Sequence, residues 1–191
     1  PFDVPGAFTV DAVRPSIISR SPAADEMDVV AGSAAIIVIG FSEPLDEATV
    51  VDANFTLRQG STLSEVRAAY DSTAQAVIVT PLAGLAPGFE YALEVSSAIT
   101  DLAVNRADDA DTWIFRTRVP QLVATSPADS STLALVDDSR IEARFDTAIL
   151  SAALQVSGAV EISREGQRVE LRDAPIFDEA TGTLRFEPAE G

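Results

Sequence analysis

A chain of 191 residues with 47% hydrophobic content is long enough to bury a core, as one large domain or two small ones. Its 30 acidic and 13 basic residues leave a formal charge of −17, a surface that repels nucleic acid and anionic membrane. The sequence has no Cys, His or Lys, which excludes disulfides, thiolate chemistry, Ser-His-Asp triads, most zinc or copper sites and Schiff-base or P-loop lysines.

In chain order, residues 1–14 read as a linker or as the last strand of a preceding domain, because "AFTVDAVRP" resembles the later "WIFRTRVP". Strands are then predicted near 16–20, 35–41, 54–59, 65–70, 75–80, 89–96 and 112–118, each alternating apolar and polar positions. Ile37, Ile39 and Phe41 take the core side of the second strand, and Phe89, Tyr91, Leu93 and Val95 that of the sixth. "DEATV" (46–50) suits a single helical turn, and Gly60, Asp71-Ser72, Gly84 and Pro87-Gly88 mark bends. In "GLAPGFEY" the spacing predicts a tyrosine corner, with the Tyr91 hydroxyl bonded back to the bend and Leu85 plugging the core.

The pattern then repeats. "SPAAD" (21–25) returns as "SPADS" (126–130), and "IIVIGFSEPL" (36–45) as "RIEARFDTAI" (140–149). "NFTLRQG" (54–60) matches "AVEISREG" (159–166), and residues 65–81 match 169–188. In the second copy Ile141, Ala143 and Phe145 are expected inside. That copy carries the first five strands and lacks the last two, so residues 15–118 read as a complete β-sandwich and 119–191 as an incomplete one. The expected fold is all-β, two tandem Ig-like Greek-key sandwiches. The chain starts at Pro1, so an export signal is expected outside it, and no apolar run is long enough to span a membrane. Residues 1–14 either link the module to what precedes it or donate a strand to a neighbour's open edge.

The stretches "RPSIISRSPAAD", "FSEPLDEATV", "NFTL", "VIVTPLAGLAPGFEYALEV", "DLAVN" and "WIFRT", over residues 15–118, resemble the SbsA-type bacterial Ig-like domain of S-layer proteins. Fibronectin type III competes as a label, since "LAPGFEY" suits it too; "SPAAD" and "FSEPLD" favour the first. The family has Gly where this chain has Val104, so the turn is expected to leave the family's backbone shape. The resemblance implies a non-catalytic structural or assembly module of an exported surface protein, at the cell envelope or outside a bacterium. Its partners would be other subunits or neighbouring Ig-like domains, with no nucleic acid and no membrane insertion. The alternative is a ligand-binding or calcium-stiffened adhesin module, or an accessory domain of a secreted hydrolase.

Two surfaces are candidates within that topology. The loops after the second and sixth strands share one end of the sandwich and carry Glu43, Asp46, Glu47, Asp101, Asp108, Asp109 and Asp111. Carboxylates so gathered could hold calcium, the one cofactor considered; a solvated acidic surface is the plainer reading. An outward apolar face is formed by Ile36 and Val38 with Ala76 and Ile78, where the second copy has Arg140, Glu142, Thr183 and Arg185. Phe2, Val4 and Phe8 of the N-terminal segment would cover that face, or Phe8 and Val10 would join it in contacting a partner. Paired-carboxylate catalysis is unspecific among 30 acids, and Trp113 fits a core position better than a sugar platform.

Overall fold

The computed structural model describes residues 11–108, 110–128, 140–146 and 161–189. Over these the chain is all-β, with two short 3-10 turns at Glu47–Thr49 and Asp52–Asn54. Among the described residues no helix is long and apolar enough to cross a membrane.

Fourteen strands are formed among the described residues. They are β1 (Ile17–Ser21), β2 (Ile37–Phe41), β3 (Phe55–Gln59), β4 (Thr62–Ser64), β5 (Val66–Asp71), β6 (Ala76–Pro81), β7 (Glu90–Val95) and β8 (Asp111–Arg116). After them come β9 (Leu122–Ser126), β10 (Ile141–Phe145), β11 (Ile162–Arg164), β12 (Gln167–Val169), β13 (Ile176–Asp178) and β14 (Thr183–Phe186).

One sheet has the order β1-β2-β6-β5 and a second the order β4-β3-β7-β8. This is the Greek-key arrangement of an Ig-type sandwich. Strand β4 was not anticipated. It is three residues long and forms because Gly60, in the left-handed region at φ 57°, lets the chain double back from Gln59 to Thr62.

Why these residues form strands follows from which side they bury. In β2, Ile37, Ile39 and Phe41 are 0, 0 and 1% exposed, and they register with β6 at Ile37↔Val79 and Ile39↔Val77. Phe55, Leu57, Leu93, Val95 and Trp113 are also buried. Burying such side chains contributes about 1.5–3 kcal/mol each. Phe89 does not join them. β7 begins at Glu90, and Phe89, still in the Pro87-Gly88 bend, is left half exposed.

That bend is held from both sides. The Ala86 N–H donates to the Tyr91 hydroxyl at 2.7 Å, while the Thr117 hydroxyl donates to the Ala86 carbonyl at 2.7 Å and accepts from the Phe89 N–H at 3.0 Å. Tyr91 stacks on Phe115 with centroids 5.7 Å apart, and Leu85 is fully buried. Gly84 sits at φ 71° against the Gly32 carbonyl, where no Cβ would fit.

Strands β13-β14-β10-β9 form the third four-stranded sheet. Its inner row is Phe177, Leu184 and Ala143, lined up by the registers Phe177↔Leu184 and Ala143↔Leu184, with Phe145 and Phe186 half-buried beside it. Strands β11 and β12 form a two-stranded hairpin turning at Glu165-Gly166, both at positive φ. Both β1 and β9 lead into a cis Ser-Pro bond.

Candidate functional site

On the outer side of the first sheet, Val38 lies directly opposite Ile78, and Ile78 opposite Ala69. Ile36 is 52% exposed, Ile18 on β1 is 68% exposed, and Val38 and Ile78 are half-buried. In the third sheet the matching cross-strand site is Glu142↔Arg185, joined by an ion pair of 2.9 Å that Arg185 extends to Asp178 at 3.6 Å. One position in the sheet thus holds an apolar pair in one case and opposite charges in the other.

Ala76 corrects the expected face. It is only 7% exposed, because a single methyl on a central strand lies low between Gly40 and Asp71 of the flanking strands. Thr183, at the corresponding place in β14, is also 7% exposed, so it is not an outward polar residue either. Phe8 and Val10 lie outside the described residues.

The acidic loop residues are engaged in different ways. Asp46 caps the first 3-10 turn, its carboxylate accepting from the Ala48 N–H at 3.1 Å. Asp108 is near Arg14, at 3.9 Å, and Asp111 pairs with Arg20, whose guanidinium also lies over the Trp113 ring at 5.1 Å. Asp109 lies outside the described residues, and Glu47 sits exposed in the first 3-10 turn.

Glu43 and Asp101 do come together, and they are joined by Asp11, which the sequence reading did not single out. A carboxylate oxygen of each lies within 4.8 Å of the other two. Asp11 lies in the segment leading into β1, which begins at Ile17; its place before the first strand is the signal that could have found it.

Asp101 is buried and anchors its own turn. Its Oδ1 accepts from the N–H groups of Ala103 and Asn105, both at 2.8 Å, and its Oδ2 from Asn105 Nδ2 at 2.8 Å. Burial pushes its carboxyl upward, but the Asn105 side chain and these backbone donors outweigh that and hold it below the ordinary range. Asn105 Nδ2 also donates to the Asp11 carbonyl at 3.1 Å.

The same anchoring explains Val104. It stays in the left-handed region, at φ 67°, although Val disfavours it. The left-handed conformation is held there because Asp101 fixes the residues on both sides of Val104.

Glu43 behaves differently. Burial, then Asp101, then Asp11 push its carboxyl up. Its Oε1 is buried and accepts no hydrogen bond among the described residues.

Comparison with known proteins fits this geometry. Residues 11–117 match the family model described as a bacterial Ig-like domain. The chain belongs to that family. A relative among curated proteins, alkane uptake protein B of Marinobacter nauticus, is 33% identical over 111 residues, 56% of this chain and 10% of that protein. The bacterial Ig-like chain therefore spans about a tenth of that relative's length. Among solved structures, the S-layer protein SbsC is matched over 91% of this chain and 22% of its own, at 16% identity and a TM-score of 0.43. The copper resistance protein PcoC of Escherichia coli is matched over 56% of this chain and all of its own, at 17% identity and a TM-score of 0.45.

Proposed function

We propose that this bacterial Ig-like chain is a non-catalytic structural module of an exported surface protein, serving as a spacer or assembling into a layer, fibre or adhesin stalk. Residues 15–118 form one module, 119–191 belong to a second, and 1–14 lead in from what precedes. Its partners are neighbouring Ig-like domains or further subunits.

The supporting observation is the repeated strand order. β1-β2-β6-β5 and β9-β10-β14-β13 place equivalent strands in the same sequence across the sheet, and each is accompanied by a hairpin, β3-β4 or β11-β12. A chain that repeats a packing unit has its sequence committed to cores and junctions. A relative of which the matched stretch is only 10% fits a module carried within a larger protein.

The contact surface we assign is the outer side of the first sheet: Ile36, Val38 and Ile78, with Ile18. Light scattering over a concentration series tests this on the parent chain and on Val38→Glu/Ile78→Arg, which installs the pair found at Glu142 and Arg185. Association of the parent that the double variant loses, with no change in unfolding midpoint, is the expected result. A parent chain that stays monomeric at every concentration and binds a polysaccharide saturably would instead favour a ligand-binding module.

A further inference from the structure

We propose that the contact surface assigned above, on which this rests, is occupied by a second copy of the chain, packed face to face about a two-fold axis along the row Ser21–Val38–Ile78–Ala69. The strand registers lay the face out as three rows. The central one is Ser21↔Val38, Val38↔Ile78 and Ile78↔Ala69. On one side of it run Ser19↔Gly40, Gly40↔Ala76 and Ala76↔Asp71. On the other side Thr80 pairs with Arg67, and Ile36, one residue before β2, continues that row. Along β5, Arg67, Ala69 and Asp71 are exposed while Val66 is buried, so alternation sets the first three on the outer side.

A two-fold axis along the central row exchanges the two flanking rows, and each strand faces its own copy. Val38, Ile78 and Ala69 each meet their equivalents. Arg67 comes opposite Asp71 of the second copy, and Asp71 opposite its Arg67. Ile36 comes opposite Gly40, where the face is low: Gly40 has no side chain, the Ser19 hydroxyl takes the space of one, and Ala76 beside it is a single methyl. The face is thus complementary to itself in charge and in height.

Charge also selects the occupant. The chain carries −17, yet the three rows hold one cation and one anion, Arg67 and Asp71, which cancel. Acids are shown elsewhere, as at Glu90 and Glu94, both exposed on β7. A basic partner would be drawn to those surfaces, whereas two copies of an acidic chain approach at least cost through a neutral face. Among the described residues Arg67 makes no ion pair, and Asp71 has its Oδ1 on the Thr73 and Ala74 N–H groups and no arginine beside it. In the third sheet the charges are already paired with one another, Glu142 and Asp178 with Arg185.

Four strands about 4.8 Å apart, each about five residues of 3.3 Å, give a face of about 300 Å² per copy. That is below the roughly 800 Å² per partner of tight complexes, so the contact is weak, with a dissociation constant on the order of 10⁻⁴ M. Such a contact gains strength when copies are presented together, because linkage raises their effective concentration.

The test is sedimentation equilibrium of the full chain up to about 1 mM, where a contact of this strength is well populated. The parent should dimerise. Arg67→Asp should weaken the dimer about tenfold and Asp71→Asn about threefold. Asp71→Asn keeps an oxygen for the Thr73 and Ala74 N–H groups, so the pair is tested even where Asp71→Arg does not fold. The decisive sample is Arg67→Asp mixed with Asp71→Arg. Neither should dimerise alone, but the equimolar mixture should do so as well as the parent, since opposite charges again face each other on both sides of the axis. Arg58→Asp mixed with Glu94→Arg, both on the outer side of the second sheet, should behave as the parent does. A mixture no better than its components, with association still lost in Val38→Glu/Ile78→Arg, would overturn the two-fold pairing and leave the contact surface standing. A parent that stays monomeric throughout would overturn both, and is the result given by a face that the chain's own first residues cover.

Discussion

Compared strand for strand, the β1-β2-β6-β5 sheet and the β9-β10-β14-β13 sheet share one strand order but not one degree of burial. The row Ile37↔Val79 is fully buried, whereas its counterpart Ile141↔Phe186 is half-buried. Ile39↔Val77 is fully buried, while Ala143↔Leu184 exposes 9 and 4%. Phe41 is 1% exposed, and Phe145 is only partly buried. The first sheet is accompanied by a four-stranded sheet whose β7 and β8 supply Leu93, Val95, Trp113 and Phe115; the other sheet described after residue 119 is the two-stranded β11-β12. Apolar alternation makes a sheet, but the facing layer decides how much of it leaves water.

The largest expected effect separates the two sheets directly. Ile37→Ala should cost about 2–5 kcal/mol. Ile141→Ala, at the equivalent but half-buried position, should cost about 1 kcal/mol. Urea unfolding of each variant measures both. Equal losses would mean that the two cores are equally enclosed.

The bend joining β5 to β6 and the one joining β13 to β14 offer a finer comparison. In each an aspartate caps the turn: Asp71 accepts from the N–H of Thr73 at 2.9 Å, and Asp178 from that of Ala180 at 3.0 Å. Each ends in the left-handed region, at Gln75 with φ 49° and at Gly182 with φ 65°. Gly182→Ala should cost about 2 kcal/mol, since a Cβ there meets the Phe145 carbonyl at 2.7 Å. Gln75→Gly should change stability by less than about 1 kcal/mol, because relief at φ is offset by the looser unfolded chain. Thermal melts would show the sign.

Val104→Gly removes the strain peculiar to the turn at Asp101 and should raise stability by about 0.5–1 kcal/mol. A lowered melting temperature would indicate that the turn does not hold positive φ in solution.

The smallest effect is one of pH. Accepting from the Thr181 hydroxyl is the main cause holding the Asp178 carboxyl low; burial opposes it, and the Ala180 and Thr181 N–H groups and Arg185 add to it. A lowered folded-state pKa contributes stability that is present above the ordinary carboxylate range and lost as pH falls through the folded value. Asp178→Asn should therefore lie below the parent in urea midpoint at pH 7, with the gap closing below about pH 4. A gap independent of pH would assign the loss to packing.

The strands, the Tyr91 corner and the Val38–Ile78 pairing could be read from the sequence because each rests on a period of two or on a local bend. Strand β4 escaped, since "TLS" is too short to show a period and depends on Gly60 reversing the chain. Phe89 was misplaced by extending alternation through a bend that interrupts it. The acidic site was half legible. Glu43 and Asp101 stand in the loops that the topology brings together, but which acids are already engaged is a three-dimensional fact. Asp46 is taken by a cap and Asp111 by Arg20, while Asp11 lies on no periodic element.

The buried Trp113 beneath Arg20 has an optical consequence. It is the sole Trp, and Tyr70 and Tyr91 are the only tyrosines, so no residue beyond 118 carries an indole or phenol chromophore. Intrinsic fluorescence excited at the indole band reports on the β1–β8 region alone. Unfolding of β9–β14 is silent to that signal and must be followed by far-ultraviolet dichroism, so two probes on one unlabelled sample separate the two halves of the chain.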